Sequence, residues 1–191
     1  MKKLLLPAAL LLLAAGSASA QNNVIKVNIL SPLVKTGSFF YEHKLSSSSS
    51  FQIGGLFTSY SVGDTDLSGF AITPEYRFHL SERKEAMEGF YVAPFLRYQN
   101  LTLKDTYTTY NSNGNGTGTQ TNKASLDTFG GGILIGHQWI FKQRFSLDTF
   151  LGPSYNGGSI KYEGNQNGGT FDAGTFQGFG VRAGITFGIA F

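Results

Sequence analysis

Gly178-Phe179-Gly180-Val181-Arg182-Ala183-Gly184-Ile185-Thr186-Phe187-Gly188-Ile189-Ala190-Phe191 closes the chain and alternates throughout. Phe179, Val181, Ala183, Ile185, Phe187, Ile189 and Phe191 fall on one face, and Arg182, Thr186, Ala190 and four glycines fall on the other. Side chains of an extended strand point alternately to its two faces, so a period of two predicts a strand that is greasy on one side and nearly bare on the other. A face of glycines suits a cramped interior better than a solvated surface. The aromatic face must then look outward.

The alternation continues upstream. Phe70, Ile72, Tyr76, Phe78 and Leu80 oppose Thr73, Glu75, Arg77 and His79, while Phe90, Val92, Leu96 and Tyr98 oppose Tyr91, Phe95, Arg97 and Gln99. Phe145, Leu147 and Leu151 oppose Ser146, Asp148 and Phe150, and near the start Ile25, Val27 and Ile29 oppose Lys26 and Asn28. These runs predict eight strands, over 23–33, 37–45, 51–62, 68–80, 89–104, 125–141, 145–162 and 174–191. A slip in the pattern near Gly54-Gly55 predicts a bulge. Short or moderately short connections at Ser46–Ser50, Ser81–Glu88 and Lys142–Arg144 fall at one end. Val34–Thr36, Gly63–Leu67 and the Asn/Gly/Thr-rich stretches Thr106–Lys123 and Glu163–Asp172 fall at the other, where they predict solvated, mobile loops. With an even strand count, both termini share the tight-turn end.

Alternation alone does not separate a membrane barrel from a soluble one. Composition does. Only 14% of the 191 residues are charged, against roughly 25% in an average soluble domain. A soluble barrel would cover its polar face with Lys and Glu, whereas here that face is mostly Gly, Ser and Thr. Several strands reach the roughly 9–11 residues that cross a bilayer at a tilt. In hydrocarbon every backbone N–H and C=O must be paired, and a closed sheet does this without leaving an edge. The expected fold is therefore all-β: a closed, antiparallel, up-and-down transmembrane barrel of eight strands. Its short turns are periplasmic and its longer loops extracellular. Tyr41, Tyr76, Tyr98 and Trp139 are the candidates for its interfacial aromatic girdles. The absence of Cys excludes a disulfide scaffold and a thiolate metal site, and an aromatic content of 14% argues against disorder.

The N-terminus reads as an export signal. Lys2-Lys3 form a positive start, Leu4 to Ala15 an apolar stretch too short to span a bilayer, and Ala18-Ser19-Ala20 a small-x-small cleavage site. Residues 1–20 are thus expected to be removed, leaving 21–191 as one barrel domain. Without Lys2 and Lys3 the 15 basic residues become 13 against 12 acidic ones. No basic field remains to recruit nucleic acid.

The ending Phe187-x-Ile189-x-Phe191 resembles the C-terminal signal read by the barrel-assembly machinery of outer membranes. Together with the export signal and the eight-strand layout, it makes the chain resemble small barrels of the OmpA, OmpX and OmpW kind. It looks most like a family of small outer-membrane proteins known only as a domain of unknown function. Ile29-Leu30-Ser31-Pro32-Leu33, Ile72-Thr73-Pro74-Glu75-Tyr76-Arg77-Phe78, Tyr91 to Gln99, and Phe129 through Phe141 carry that likeness. The resemblance implies fold and location, and no activity. It implies as partners outer-membrane lipids and lipopolysaccharide, and the assembly machinery during insertion. The barrel is expected to be a monomer.

An eight-stranded barrel is just wide enough for side chains to fill it. Lys26, Lys44, Arg77, Arg97 and Arg182 are assigned inward against Glu42, Glu75 and Asp148. Buried charges must pair, so these residues predict a salt-bridged plug, with Glu75 and Asp148 as the expected partners of Arg97 and Arg182. The competing reading is a narrow cation-lined path for anions. Pro32, Pro74, Pro94 and Pro153 lie inside predicted strands, where each removes a ladder donor. Pro74 and Pro94, roughly opposite one another, mark either tolerated bulges or a lateral seam for an apolar molecule. His79-Leu80-Ser81 superficially resembles the H-x-S pair of lipid A deacylases but falls at the periplasmic end, away from that substrate. His43 and His137 fall on the outward face. No catalytic constellation, metal ligand set or cofactor site is read. The expected function is structural, or one of surface contact through the long loops. A conduit through lumen or seam comes second, and a lipid A-modifying enzyme third.

Overall fold

The computed structural model describes residues 22–63, 65–81, 87–110, 116–163 and 177–191. The expected cleavage site at Ala18 and Ala20 lies outside them. Eight strands run β1 Asn23–Asn28, β2 Thr36–Lys44, β3 Ser49–Val62, β4 Thr65–His79, β5 Gly89–Tyr110, β6 Gly116–Phe141, β7 Phe145–Glu163 and β8 Gly178–Ala190. Each pairs antiparallel with its neighbour in sequence, and β1 pairs with β8 to close the barrel. The last rung joins the start of β1 to Phe191. Asn23 N–H donates to the Phe191 carbonyl at 3.1 Å, and Phe191 N–H returns to Asn23 at 2.9 Å.

Burial follows parity on every strand, and the interior is the polar side. Phe90, Phe129 and Ile135 are more than 60% exposed on the outer surface, while Lys26, Glu42, Glu75, Arg77 and Asp148 are at most 1% exposed in the lumen. Trp139 and the ring of Tyr41 and Tyr76 face outward near the end that carries the termini, and Tyr98 faces outward towards the far end. There Tyr98 packs near Phe70, with Tyr155 against Phe179 further round. Inward aromatic residues also exist. Tyr91, Phe95 and Phe150 cluster with Ala93 and Leu134 inside the barrel. Met87, from the β4–β5 connection, folds under the barrel onto Val24 and Ala190 and closes the terminal end.

Several strand limits differ from the sequence reading, each for a local reason. The first strand stops at Asn28, because Asn28 Oδ1 accepts from Leu30 N–H at 2.9 Å and a 3-10 turn follows at Ser31–Val34. Pro32 sits in the first turn of that helix, where its fixed φ is helical and its missing donor costs nothing, so it is not a strand proline. No bulge occurs at Gly54-Gly55; both residues stay in register with Phe40 and Phe39 on one side and Thr73 and Ile72 on the other. Part of Thr106–Lys123 is ladder instead of loop. Thr106 pairs with Thr121, and pairing continues to Tyr110 opposite Gly116 with a shift after Thr109. Thr106, Thr108, Thr109, Thr119 and Thr121 are β-branched and favour an extended backbone. In the last loop, Glu163 ends β7, and residues 164–172 lie outside the described residues.

Candidate functional site

The lumen is crossed, in the half nearer the end that carries the termini, by one connected set of charged side chains. Lys26 on β1 has its ammonium 2.6 Å from Glu42 Oε2 and 3.1 Å from Asp148 Oδ2, and it also donates to Gln138 Oε1 at 2.8 Å. From β4, Arg77 Nη1 reaches Asp148 Oδ2 at 2.8 Å and Glu42 Oε2 at 3.5 Å, while its Nη2 reaches Glu75 Oε2 at 3.2 Å. Its guanidinium lies 4.3 Å from the centre of the Tyr91 ring, and the Tyr91 hydroxyl donates to Asp148 Oδ1 at 2.8 Å. Arg182 on β8 completes the set with Nη1 2.6 Å from Glu75 Oε1.

Three cations therefore meet three carboxylates, all of them shut off from water except Arg182, whose side chain is 11% exposed. Charge balance is what makes such a cluster tolerable in a low-dielectric interior, since an unpaired ion there would carry most of its desolvation cost uncompensated. Neutral polar groups take up part of the remaining valences, while Arg77 Nε, Gln52 Oε1 and Gln138 Nε2 are left without a partner among the described residues. Gln52 donates to Glu75 Oε2 at 3.0 Å, and the Ser50 hydroxyl donates to Glu42 Oε1 at 2.5 Å. Gln52, Ser50, Gln138 and Tyr91 are not among the residues singled out from sequence. Their inward parity is readable in the sequence, but a neutral side chain carries no charge that demands a partner.

Two of the assigned cations stand apart from this set. Lys44 ends β2 opposite Ser50, near the terminal rim. Arg97 has neither Glu75 nor Asp148 as a partner; its Nε donates to Gln99 Oε1 at 3.1 Å. This corrects the expectation that Arg97 would find a carboxylate. Arg182 has taken Glu75, and Asp148 is held by Lys26, Arg77 and Tyr91.

His79 points into the lumen. Its Nε2 lies 3.0 Å from Ser50 Oγ and accepts from Met87 N–H at 3.2 Å, so Ser81 is not its partner. His43 and His137 face outward, the first 2.8 Å from Asn23 Oδ1 and the second between the Phe90 and Trp139 rings. Among the described residues no three His, Asp or Glu side chains gather as metal ligands.

The prolines share a seam without facing one another. Along β4–β5, Ile72 pairs with Tyr98, Glu75 with Phe95 and Phe78 with Val92. In that register Pro74 stands across from Leu96 and Pro94 across from Tyr76, at positions the ladder skips. A second skip between β6 and β7, from Gly132–Ser154 to Ile135–Leu151, falls at Pro153. At the other end of the wall, Phe187 stacks on Phe145 with ring centres 6.1 Å apart, Ile189 pairs with Ile25, and Phe191 follows β8.

Residues 6–191 match the profile of a family described as Protein of unknown function (DUF3575). No curated protein matches the chain in sequence. Among solved structures it is similar to the N-terminal β-barrel domain of Pseudomonas aeruginosa OprF, at 14% identity and a TM-score of 0.36 over 90% of this chain and 98% of that one. It is also similar to Acinetobacter baumannii CarO, at 10% identity and a TM-score of 0.47 over 92% of this chain and 99% of that one.

Proposed function

We propose that this chain, which belongs to the DUF3575 family, is an integral outer-membrane barrel with a structural or surface-contact role. The observation that carries this reading is the filled lumen. Lys26, Glu42, Glu75, Arg77 and Asp148 have fully buried side chains, and they cross-link β1, β2, β4 and β7 from within. A cylinder sealed by ion pairs is rigid and offers no water path. Its outer surface supports insertion into lipid: the apolar side chains face out, the backbone closes on itself, and outward aromatic residues lie near both ends. The terminal-end turns then face the periplasm, and the extended β5–β6 hairpin faces the cell exterior. Lipopolysaccharide contacts the wall. Phe187, Ile189 and Phe191 serve the assembly machinery, following cleavage after Ala20.

Planar-bilayer recording of the refolded barrel tests the sealed lumen. Discrete steps of conductance are not expected, and a steady ohmic current would overturn the reading. A deletion strain is expected to admit detergents and bulky antibiotics more readily, with complementation by the intact gene.

A second reading, a lateral path for an apolar molecule, is favoured by the ladder positions skipped at Pro74 and Pro94. Hydrogen exchange in lipid separates the two. Slow exchange throughout 71–79 and 91–99 sinks the lateral path, whereas fast exchange confined to those stretches supports it.

A further inference from the structure

We propose that Arg97 and Arg182 form an anion site in the far half of the lumen that takes a monocarboxylate bearing a short apolar chain. A cavity of about 290 Å³ lies there, roofed by the 3-10 turn and walled by β2, β3 and β8. Both arginines line it, and no Asp or Glu does. The charge count points the same way. Lys26, Arg77 and Arg182 are balanced by Glu42, Glu75 and Asp148, which leaves Arg97 as a fourth cation with no carboxylate within ion-pair distance among the described residues. Gln99 occupies its Nε, so the two terminal amino groups remain for a ligand, the pair that can grip both oxygens of a carboxylate.

Arg182 is held in place from three sides. Its guanidinium sits 4.8 Å from the Phe95 ring centre and 5.0 Å from that of Phe150, with Glu75 fixing Nη1. Leu30, Phe40, Leu56 and Phe150 supply the apolar part of the wall; beside them stand the neutral polar Asn28, Thr36 and Thr73, and the hydroxyls of Ser31 and Ser38, which satisfy each other at 2.7 Å. Glycine makes this shape. A Cβ on Gly54 would come within 2.9 Å of the Phe40 ring, and one on Gly184 within 2.5 Å of the Phe150 ring. Two cationic heads beside greasy walls fit an amphiphilic anion better than an inorganic one. The volume, at the lower edge for small-ligand sites, keeps the chain short. Binding needs no passage through the sealed lumen, so the site can hold whether or not the barrel conducts.

Isothermal titration of the full barrel in lipid nanodiscs, at fixed ionic strength, with acetate, hexanoate, palmitate and inorganic phosphate tests this. Each buried methylene is worth about fourfold in affinity, so hexanoate should bind at least tenfold tighter than acetate or phosphate. Arg97→Gln should weaken hexanoate at least tenfold, and Arg97→Lys less. Leu30→Asp, outside every strand, leaves the barrel ladder intact and places a resident carboxylate at the rim; it should abolish binding while heat-shifted gel mobility still reports a folded barrel. Palmitate binding more tightly than hexanoate would overturn the short chain that the cavity volume implies, whereas the reverse supports a soluble short-chain carboxylate. Equal affinity for phosphate, acetate and hexanoate, or undiminished hexanoate binding by both Arg97→Gln and Leu30→Asp, overturns the proposal.

Discussion

Arg77 and Asp148, 71 residues apart in sequence, meet at 2.8 Å inside the lumen. The contact joins β4 to β7, strands that are not neighbours in the wall. Ladder hydrogen bonds hold each strand only to the next one. Pairs such as this brace the cylinder across its bore.

Asp148→Asn should therefore destabilise the barrel severely. Lys26 and Arg77 would keep their charges in a buried site with two carboxylates to share among three cations. Breaking a buried pair in this way costs about 3–5 kcal/mol, readable as a shift in urea unfolding in lipid vesicles. Adding Lys26→Met should recover a substantial part by restoring the balance. No recovery would show that geometry matters here more than charge count.

Tyr91→Phe removes only the hydroxyl that donates to Asp148. A hydrogen bond to a charged group contributes about 1.5–3 kcal/mol, and a loss in that range is expected from the same unfolding measurement. Gly136→Val should do comparable or greater harm by another route. A Cβ at Gly136 would meet the Tyr91 ring and the Thr149 carbonyl, so the ring could not stay under Arg77.

The β6–β7 turn is built from the wrong residues for its conformation. Lys142 and Gln143 both have positive φ, 51° and 55°, and Arg144 N–H closes the turn onto Phe141 at 3.0 Å. Two successive positive φ angles are the geometry that Asn-Gly adopts readily in tight hairpins. Replacing Lys142-Gln143 with Asn-Gly should raise stability by about 1 kcal/mol, because the left-handed conformation costs most residues roughly 1–2 kcal/mol and costs Gly nothing, and it should leave the network untouched.

The end of the β5–β6 hairpin should be dispensable for the barrel. Beyond Asp105, paired with Thr65, and Lys123, paired with Glu163, the two strands ladder only with each other among the described residues. Replacing 107–120 by a two-residue turn should leave unfolding within about 0.5 kcal/mol of the parent. Any surface binding lost in that variant would locate the contact there.

The inside and outside of this barrel were legible along β8, β4 and β5, because parity is a local property of extended chain. Leu56 shows where local reading failed. It faces inward in unbroken register beside two glycines, but the missing side chains of Gly54 and Gly55 erase the alternation that would have shown it. Asn28 shows another limit, since its side chain ends β1 by a turn that competes with the apolar run Ile29-Leu30.

By itself the sequence determined which side chains enter the lumen, and therefore that charge would be enclosed and aromatic residues left outside. Only the tertiary structure decided that Glu75 goes to Arg182, that Lys26, Arg77 and Tyr91 converge on Asp148, and that Arg97 is left over. Facing is set residue by residue by the pleat. Meeting across the bore depends on the stagger of eight strands, which is fixed only when β1 closes on β8.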